Sequence, residues 1–135
     1  MELARNLKVD SVSRLRPTPA YCLRPDQTVA EAVALMKQHR VGCVLICSED
    51  ELVGIFTERD LLRRVLAPGM PLGVPVGACM TGDPVVVSPK DSVTGAIRHM
   101  EEGGYRHLPV VESGRPVGVI SVRDVIRSVT RLCRD

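Results

Sequence analysis

Two segments of the chain carry apolar residues at the spacing of an amphipathic helix. In the first segment, a capping box formed by Thr28 and Glu31 begins the predicted helix. One face of that helix carries four apolar residues, Val29, Ala32, Val33 and Met36. The second segment repeats this face with Val93, Ala96, Ile97 and Met100. A short apolar strand is predicted before each helix, over residues 21–23 and 85–87.

Each of these helices is followed by two apolar runs around a polar turn, which is the pattern of a β-hairpin. The runs span 41–47 and 52–56 in the first copy, and 107–111 and 117–120 in the second. A second helix is predicted after each hairpin, with apolar positions at Leu61, Leu62, Val65 and Leu66, and at Val125, Ile126 and Val129. The predicted fold class is therefore α+β, with the order β-α-β-β-α occurring twice. Each copy should be a small mixed sheet packed on two helices.

The two copies align without a gap at an offset of 64 residues, which places Asp60 on Asp124 and Met36 on Met100. Such a repeat is typical of duplicated units that pack together. We assign repeat 1 to residues 12–66, a Pro/Gly-rich linker to 67–77, repeat 2 to 78–133 and an N-terminal extension to 1–11. Near the start of the chain, Leu3, Leu7 and Val12 suggest a short amphipathic helix that covers the core or a partner.

The composition and charge of the chain exclude several classes of function. The 135 residues are 44% hydrophobic but include only two Tyr and one Phe, so the interior should be aliphatic. A net charge of +2 is too small for a general nucleic-acid binder. The absence of a leader-like or membrane-length apolar run favours a cytoplasmic protein without a membrane partner. Five cysteines without close pairs favour reduced, buried thiols and no metal site: Cys22, Cys43, Cys47, Cys79 and Cys133.

The most specific local signal is Gly, two hydrophobic residues, Thr or Ser, any residue, Arg and Asp, at 54–60 and again at 118–124. It places a hydroxyl and a carboxylate where a buried strand turns into a helix. Both are good helix caps, and capping alone is one interpretation. The other is ligand binding, because a helix N-terminus with a hydroxyl suits a phosphate and an Asp can accept hydrogen bonds from a ribose diol.

Enzymatic functions find little support in the sequence. No Ser-His-Asp order, nucleophile elbow or Walker loop is visible among the 135 residues. We therefore expect a protein that is not an enzyme.

Two further segments, together with the two Gly-to-Asp motifs, complete a resemblance to a known family. They are residues 80–85, which read Met-Thr-Gly-Asp-Pro-Val, and residues 105–111, which read Tyr-Arg-His-Leu-Pro-Val-Val. Together they resemble the tandem CBS-domain family, also called Bateman modules, from about residue 12 to residue 130. The resemblance implies a pseudo-twofold pair of repeats with two clefts. It also implies a non-enzymatic regulatory role, with adenosine-containing ligands such as AMP, ADP, ATP or S-adenosylmethionine bound in those clefts.

The resemblance also implies ligand-binding positions in this chain. In repeat 2 they are Thr81, Pro84 and Val85 at the base, Arg106 and His107 at the phosphates, and Pro109, Ser121, Arg123 and Asp124, with Asp124 on the ribose. In repeat 1 they are Thr18, Thr57, Arg59 and Asp60. Repeat 1 has Gly42 and Cys43 where repeat 2 has its basic pair. This difference predicts that the two clefts are unequal. We expect the nucleotide in the cleft beside Asp124 rather than in the one beside Asp60.

The expected partners are an adenosine-type small molecule, a second copy of the chain and an unidentified regulated protein. Family members commonly form dimers, and the second helices, near Leu61 and Val125, are plausible contact faces. No cofactor is expected apart from the regulatory ligand, and the ribose-reading residues do not distinguish AMP, ADP, ATP, S-adenosylmethionine and NAD-type ligands. The alternative is a ligand-independent dimerisation or protein-interaction module, in which the caps are only caps.

Overall fold

The chain folds into two compact units whose boundaries cross those of the sequence repeats. The computed structural model describes residues 10–134, and the side chains of residues 10–130. The first unit, Ala20–Pro84, is one uninterrupted segment, and we call it the continuous unit. The second combines the described residues up to Pro19 with those from Val85 onward, and we call it the split unit.

A four-stranded sheet with helices forms the continuous unit. Its elements in chain order are β1 (Cys22–Leu23), α1 (Val29–His39), β2 (Cys43–Ser48), β3 (Glu51–Thr57), α2 (Glu58–Asp60), a π-helical continuation (Leu61–Leu66) and β4 (Thr81–Gly82). The strand order is β1-β2-β3-β4. Strands β1 and β2 are parallel, and the other two pairs are antiparallel. The predicted helix and hairpin are therefore confirmed, and β4 is a strand that the sequence did not indicate.

The split unit has the same arrangement, but the counterparts of β1 and β4 are single bridges instead of strands. Its elements are α3 (Val93–Gly103), β5 (His107–Glu112), β6 (Arg115–Ser121) and α4 (Val122–Arg134). Val87 pairs with Val110 in a single parallel bridge, and Thr18 pairs with Val119 in a single antiparallel bridge. The predicted strand over 85–87 is thus wrong in extent. Prolines at 84 and 89 flank it, and proline lacks the N–H that extends a ladder.

Helix α1 begins as its sequence predicts. The hydroxyl of Thr28 accepts the Glu31 N–H at 3.1 Å, and the Glu31 carboxylate accepts the Thr28 N–H at 3.4 Å. The N–H groups of Val29 and Ala30 donate to carbonyls of the linker, at Val74 and Leu72. The later part of the Pro/Gly-rich linker is therefore attached to the first turn of α1.

The last residues of the linker belong to the core of the continuous unit. A 3-10 turn covers Val76–Ala78, and the Val76 N–H donates to the Gln27 carbonyl at 2.7 Å. In the split unit, a 3-10 turn covers Val12–Leu15, and the Val12 N–H donates to the Asp91 carbonyl at 2.8 Å. The segment before repeat 1 therefore packs on repeat 2, and the segment before repeat 2 packs on repeat 1.

Each unit has its own core, and both cores are almost wholly aliphatic, as composition predicted. The continuous unit buries Leu23, Val29, Ala32, Met36, Val44, Ile46, Phe56, Val65, Val76 and Cys79. The split unit buries Val12, Leu15, Val87, Val93, Ala96, Met100, Leu108, Val110, Ile120 and Val125. Of the residues predicted to form a covering helix at the start of the chain, Val12 is buried in the core of the split unit, and Leu3 and Leu7 lie outside the described residues.

The second helices and the cysteines depart from the sequence predictions. Residues 61–66 are π-helical, Leu62 and Leu66 are exposed, and within this segment only Val65 is fully buried. Of the cysteines predicted to be buried, Cys43 and Cys79 are buried, Cys47 is half-buried and Cys22 is exposed. The side chain of Cys133 lies outside the described ones. Within residues 10–134, no helix has both the length and the apolar character needed to span a bilayer.

Candidate functional site

Asp124 is a buried carboxylate at the start of α4. Its Oδ2 accepts the Ser121 N–H at 2.7 Å and the Ser121 hydroxyl at 3.1 Å, while its own N–H donates to Ser121 Oγ at 3.3 Å. Its side chain is 7% exposed, and Oδ1 lies 3.5 Å from Nη1 of the exposed Arg127. One oxygen of the carboxylate is therefore used by the cap, and the other is paired with a side chain that extends into solvent.

Asp60 repeats the cap but differs at its second oxygen. Its Oδ2 accepts the Thr57 N–H at 3.0 Å and the Thr57 hydroxyl at 3.2 Å. Its Oδ1 accepts the Thr81 hydroxyl at 3.0 Å and lies 3.6 Å from Arg64 Nε. Thr81, which was predicted to belong with Asp124, therefore bonds to the carboxylate of the first repeat, because β4 pairs with β3.

Thr18 occupies in the split unit the ladder position that Thr81 occupies in the continuous unit. Thr18 pairs with Val119 as Thr81 pairs with Ile55, and these partners are equivalent in the 64-residue register. The sequence concealed the equivalence because the first segment contains one extra residue, near Arg16, whose φ is 55°. Among the described residues, no hydroxyl contacts Asp124 in the way that Thr81 contacts Asp60. Thr18 thus belongs to the same unit as Asp124 and pairs with β6, the strand that precedes Asp124.

The glycine of each motif lies on a strand beside a segment that comes from before the other repeat. We call these segments, residues 17–18 beside β6 and residues 80–81 beside β3, the crossing segments. A Cβ built on Gly118 would fall 2.9 Å from the Thr18 carbonyl oxygen and 3.0 Å from Pro17 Cβ. A Cβ on Gly54 would fall 3.0 Å from the Thr81 carbonyl oxygen and would overlap the Met80 side chain. Only a residue without a side chain permits this approach, which explains why the motif begins with glycine in both copies.

Most of the N–H groups in the first turn of each helix already have partners. In α4, the Val122 N–H donates to the Arg106 carbonyl at 3.0 Å, and the Asp124 N–H is held by Ser121. In α2, the Glu58 N–H donates in the same way to the Gly42 carbonyl at 3.1 Å. The helix caps indicated by the sequence are therefore formed in both copies. A phosphate near Asp124 would have to be held mainly by side chains.

Basic side chains surround the start of α4. Arg106 and Arg123 are exposed, and His107 is half-buried in β5, directly opposite Ser121 in the β5-β6 ladder. Arg127 adds a third exposed guanidinium beside Asp124. Arg127 was not among the predicted site residues, although its i,i+3 spacing from Asp124 is a recognisable ion-pair signal.

Arg64 is a second site residue that the sequence analysis missed. Besides its approach to Asp60, its Nη1 donates to the Met80 carbonyl at 2.6 Å, which ties the crossing segment to the helix. Its i,i+4 spacing from Asp60 was available in the sequence. Its hydrogen bond to the Met80 carbonyl could not be predicted from the sequence, because the two residues are sixteen positions apart.

The remaining predicted positions have different surroundings. Pro84 is half-buried at the end of the continuous unit, while Val85 belongs to the split unit and packs against its core. Pro109 is buried in β5 and pairs with Val119. Arg59 is exposed. Val85 and Pro109 therefore have clear structural roles.

Metal-ligating side chains do not gather anywhere in the described part of the chain. No group of three or more His, Cys, Asp or Glu residues there has an arrangement that could hold a metal ion. The polar groups on the split unit that could contact a ligand are the Asp124 carboxylate, the hydroxyls of two residues and the guanidinium groups of three arginines. The hydroxyls are those of Thr18 and Ser121, and the arginines are Arg106, Arg123 and Arg127.

Comparisons with known proteins agree with this architecture. The family model described as "CBS domain" matches residues 12–67 and 76–131. A CBS domain-containing protein of Bacillus subtilis is 32% identical over 117 residues, which cover 87% of this chain and 84% of that protein. A CBS domain protein of Pyrobaculum aerophilum solved in complex with AMP superposes with a TM-score of 0.82 at 28% identity, over 93% of this chain and all of that one.

Another similar solved structure is that of an oligomeric protein. A hexameric CBS-CP12 protein from a bloom-forming cyanobacterium superposes with a TM-score of 0.81 at 29% identity. The match covers 87% of this chain and 67% of that one.

Proposed function

Because the chain belongs to the CBS-domain family and is a regulatory module of two such domains, we propose that it binds an adenosine-containing ligand beside Asp124. AMP, ADP, ATP and S-adenosylmethionine are the candidates. Occupancy would be signalled to another protein through a change in conformation or in dimer arrangement. A ligand changes such an equilibrium only by binding the two states with different affinity.

The carboxylate of Asp124 is the observation that carries the proposal. A ribose presents two neighbouring hydroxyl donors, and a carboxylate oxygen that is not part of the cap can accept them. Oδ1 of Asp124 meets this requirement, since its neighbour is Arg127, whose side chain is 67% exposed. Because Arg127 extends into solvent, the ribose hydroxyls can take its place as the partners of the buried Oδ1.

The guanidinium groups near α4 support the phosphate part of the ligand. Arg106, Arg123 and Arg127 are exposed on the split unit and can form charge-assisted hydrogen bonds with phosphate oxygens. The AMP held by the Pyrobaculum aerophilum protein combines the two parts that this site would recognise, a ribose diol and a phosphate.

The equivalent position in the continuous unit is less available. Oδ1 of Asp60 is already bonded to the Thr81 hydroxyl and approached by Arg64. A ribose at Asp60 would have to replace a hydrogen bond made within the protein. We therefore place the tighter of two possible sites in the split unit.

Isothermal calorimetry with AMP, ATP and S-adenosylmethionine tests the proposal directly. We expect at least one of them to bind, with one tight site per chain. Mass spectrometry of the denatured protein would identify a ligand that copurifies with it. If none of the three produces binding heat while circular dichroism shows a folded and ligand-free protein, the proposal is wrong.

A second candidate function is a ligand-independent association module, and exposed apolar side chains favour it. Leu62 is 60% exposed and Leu66 is 54% exposed in the π-helical segment, and Met70 and Leu72 follow with more than two-fifths of their surface exposed. In the split unit, Ile126 is 58% exposed on α4. Apolar side chains exposed together in this way are typical of an interaction surface.

Replacement of Leu62 by glutamate is expected to convert an associated form of the protein to monomers. A buried carboxylate without a partner is costly at an interface, so the dissociation constant should rise by at least about tenfold. Val117→Glu is the matched control, because Val117 is 50% exposed but lies on β6. Analytical ultracentrifugation measures both variants. A wild-type protein that is monomeric at all accessible concentrations would contradict the association function.

A further inference from the structure

Cys22 and Cys47 lie on one face of the sheet, on the neighbouring parallel strands β1 and β2. Cys22 pairs with Leu45, and Cys47 lies two residues further along β2. Alternate residues of a strand point to the same face, so Cys22, Leu45 and Cys47 share one face of the sheet. Burial, and after it the nearby Cys22 side chain, raises the pKa of the Cys47 thiol.

The two thiols differ in their access to solvent. Cys22 is exposed and its Sγ also lies 3.9 Å from the Ala20 carbonyl oxygen, whereas Cys47 is half-buried. The ladder between β2 and β3 shifts register between Ile46 and Cys47, so Cys47 lies at an irregularity of its strand. An exposed thiol beside a less accessible one is the usual arrangement of an attacking and a resolving cysteine.

We propose that Cys22 and Cys47 are a redox-sensitive pair that forms an intramolecular disulfide between β1 and β2 when the protein meets an oxidised low-molecular-weight thiol. The proposal concerns a modification site and does not depend on which ligand the regulatory site binds. The disulfide would join two strands that meet over only two pairs of residues, at Cys22 with Leu45 and Leu23 with Ile46.

The reaction is two successive thiol–disulfide exchanges. The Cys22 thiol loses its proton, and the thiolate attacks one sulfur of oxidised glutathione; an S–S bond forms to Cys22 while a glutathione thiolate leaves and takes up a proton. The Cys47 thiol then loses its proton and attacks the Cys22 sulfur, expelling the second glutathione. Two cysteine thiols are oxidised to one disulfide, and one glutathione disulfide is reduced to two thiols.

Burial, together with Cys22 and Asp50, raises the pKa of Cys47 to about 12. Cys47 is therefore mostly protonated at neutral pH, so Cys22 is the thiol that attacks oxidised glutathione, and the attack by Cys47 is the slower of the two exchanges. Burial also raises the pKa of Cys43 to about 12, with a contribution from Glu58. Cys43 is buried on the same strand and is therefore a suitable control thiol.

The test is incubation of the full chain with oxidised glutathione, followed by alkylation under denaturing conditions and mass spectrometry. We expect the number of alkylated thiols to fall from the five present in the sequence by two, with recovery after dithiothreitol. Peptide mapping should link Cys22 to the peptide that contains Cys43 and Cys47. Since that peptide holds two cysteines, the variants decide between them.

Cys43→Ser is expected to form the crosslink as readily as the wild type. Cys47→Ser is expected to lose it and to retain one glutathione per chain on Cys22, because the resolving thiol is missing. Cys22 is exposed, so Cys22→Ser should fold and should show neither product. The proposal is overturned if wild-type Cys22 remains unmodified, retains glutathione without resolution, or forms its disulfide with another cysteine of the same or a second chain.

Discussion

Asp124→Asn is expected to weaken AMP binding by about 100-fold. The substitution preserves the size of the side chain but removes the charge that would accept two hydrogen bonds from the ribose diol. Hydrogen bonds to charged groups contribute about 1.5 to 3 kcal/mol each, and about 1.4 kcal/mol corresponds to a factor of ten. Part of the loss is recovered because the amide oxygen remains an acceptor. Calorimetry measures the affinity, and urea unfolding should show a stability change of only about 1 kcal/mol from the altered cap.

The repeat provides a matched control for this prediction. Asp60→Asn changes an equivalent cap, but Oδ1 of Asp60 is already used by Thr81, so the tight site should keep its affinity within about threefold. A second control uses the ligand. AMP without its ribose hydroxyls should bind the wild type and Asp124→Asn equally weakly, as a double-mutant cycle requires for a direct contact. If Asp60→Asn is the variant that loses tight binding, our placement of the site is wrong.

Gly118→Val is expected to destabilise the protein by about 3 kcal/mol, because any side chain at this position collides with backbone. The added Cβ would lie 2.9 Å from the Thr18 carbonyl oxygen, and real Cβ atoms are essentially never so close to another atom. Thr18 and Val119 exchange two backbone hydrogen bonds, at 2.8 and 2.9 Å, and both would be stretched. Displacement of this segment would also expose Val12, which is fully buried.

Gly73→Val is the control for this substitution. A Cβ at Gly73 meets no atom within 4 Å, and its φ lies outside the left-handed region. The same change of side chain should therefore alter the free energy of unfolding by less than about 0.5 kcal/mol. Urea denaturation of both variants measures the difference. Equal effects at the two positions would show that the crossing segment does not hold the split unit in place.

The sequence was most informative where residues form regular elements. The helical face of Val29, Ala32 and Met36 is buried as its spacing predicted, and both hairpins lie where the apolar runs placed them. These features depend on neighbours within a few positions along the chain, and periodicity records such neighbours. The caps at Thr57 and Ser121 were predictable for the same reason.

The partner of each carboxylate was not predictable from the same signals. Thr81 reaches Asp60 across twenty-one residues, through a strand of only two residues that carries no periodic pattern. The extra residue near Arg16 also hid the equivalence of Thr18 and Thr81, so each threonine was assigned to the repeat that follows it along the chain. A clearer clue was the glycine of each motif, which indicates a close approach of another segment but not which segment approaches.

The crossing of the two segments has a consequence for synthesis on the ribosome. The continuous unit, Ala20–Pro84, has all its strands once Pro84 has left the exit tunnel. The split unit has to wait for β6, which ends at Ser121, before Thr18 can pair with Val119. During that interval Val12 and Leu15, although made before either unit is complete, have no core to enter. These early residues are thus among the last to fold, and their apolar side chains need protection from aggregation until then.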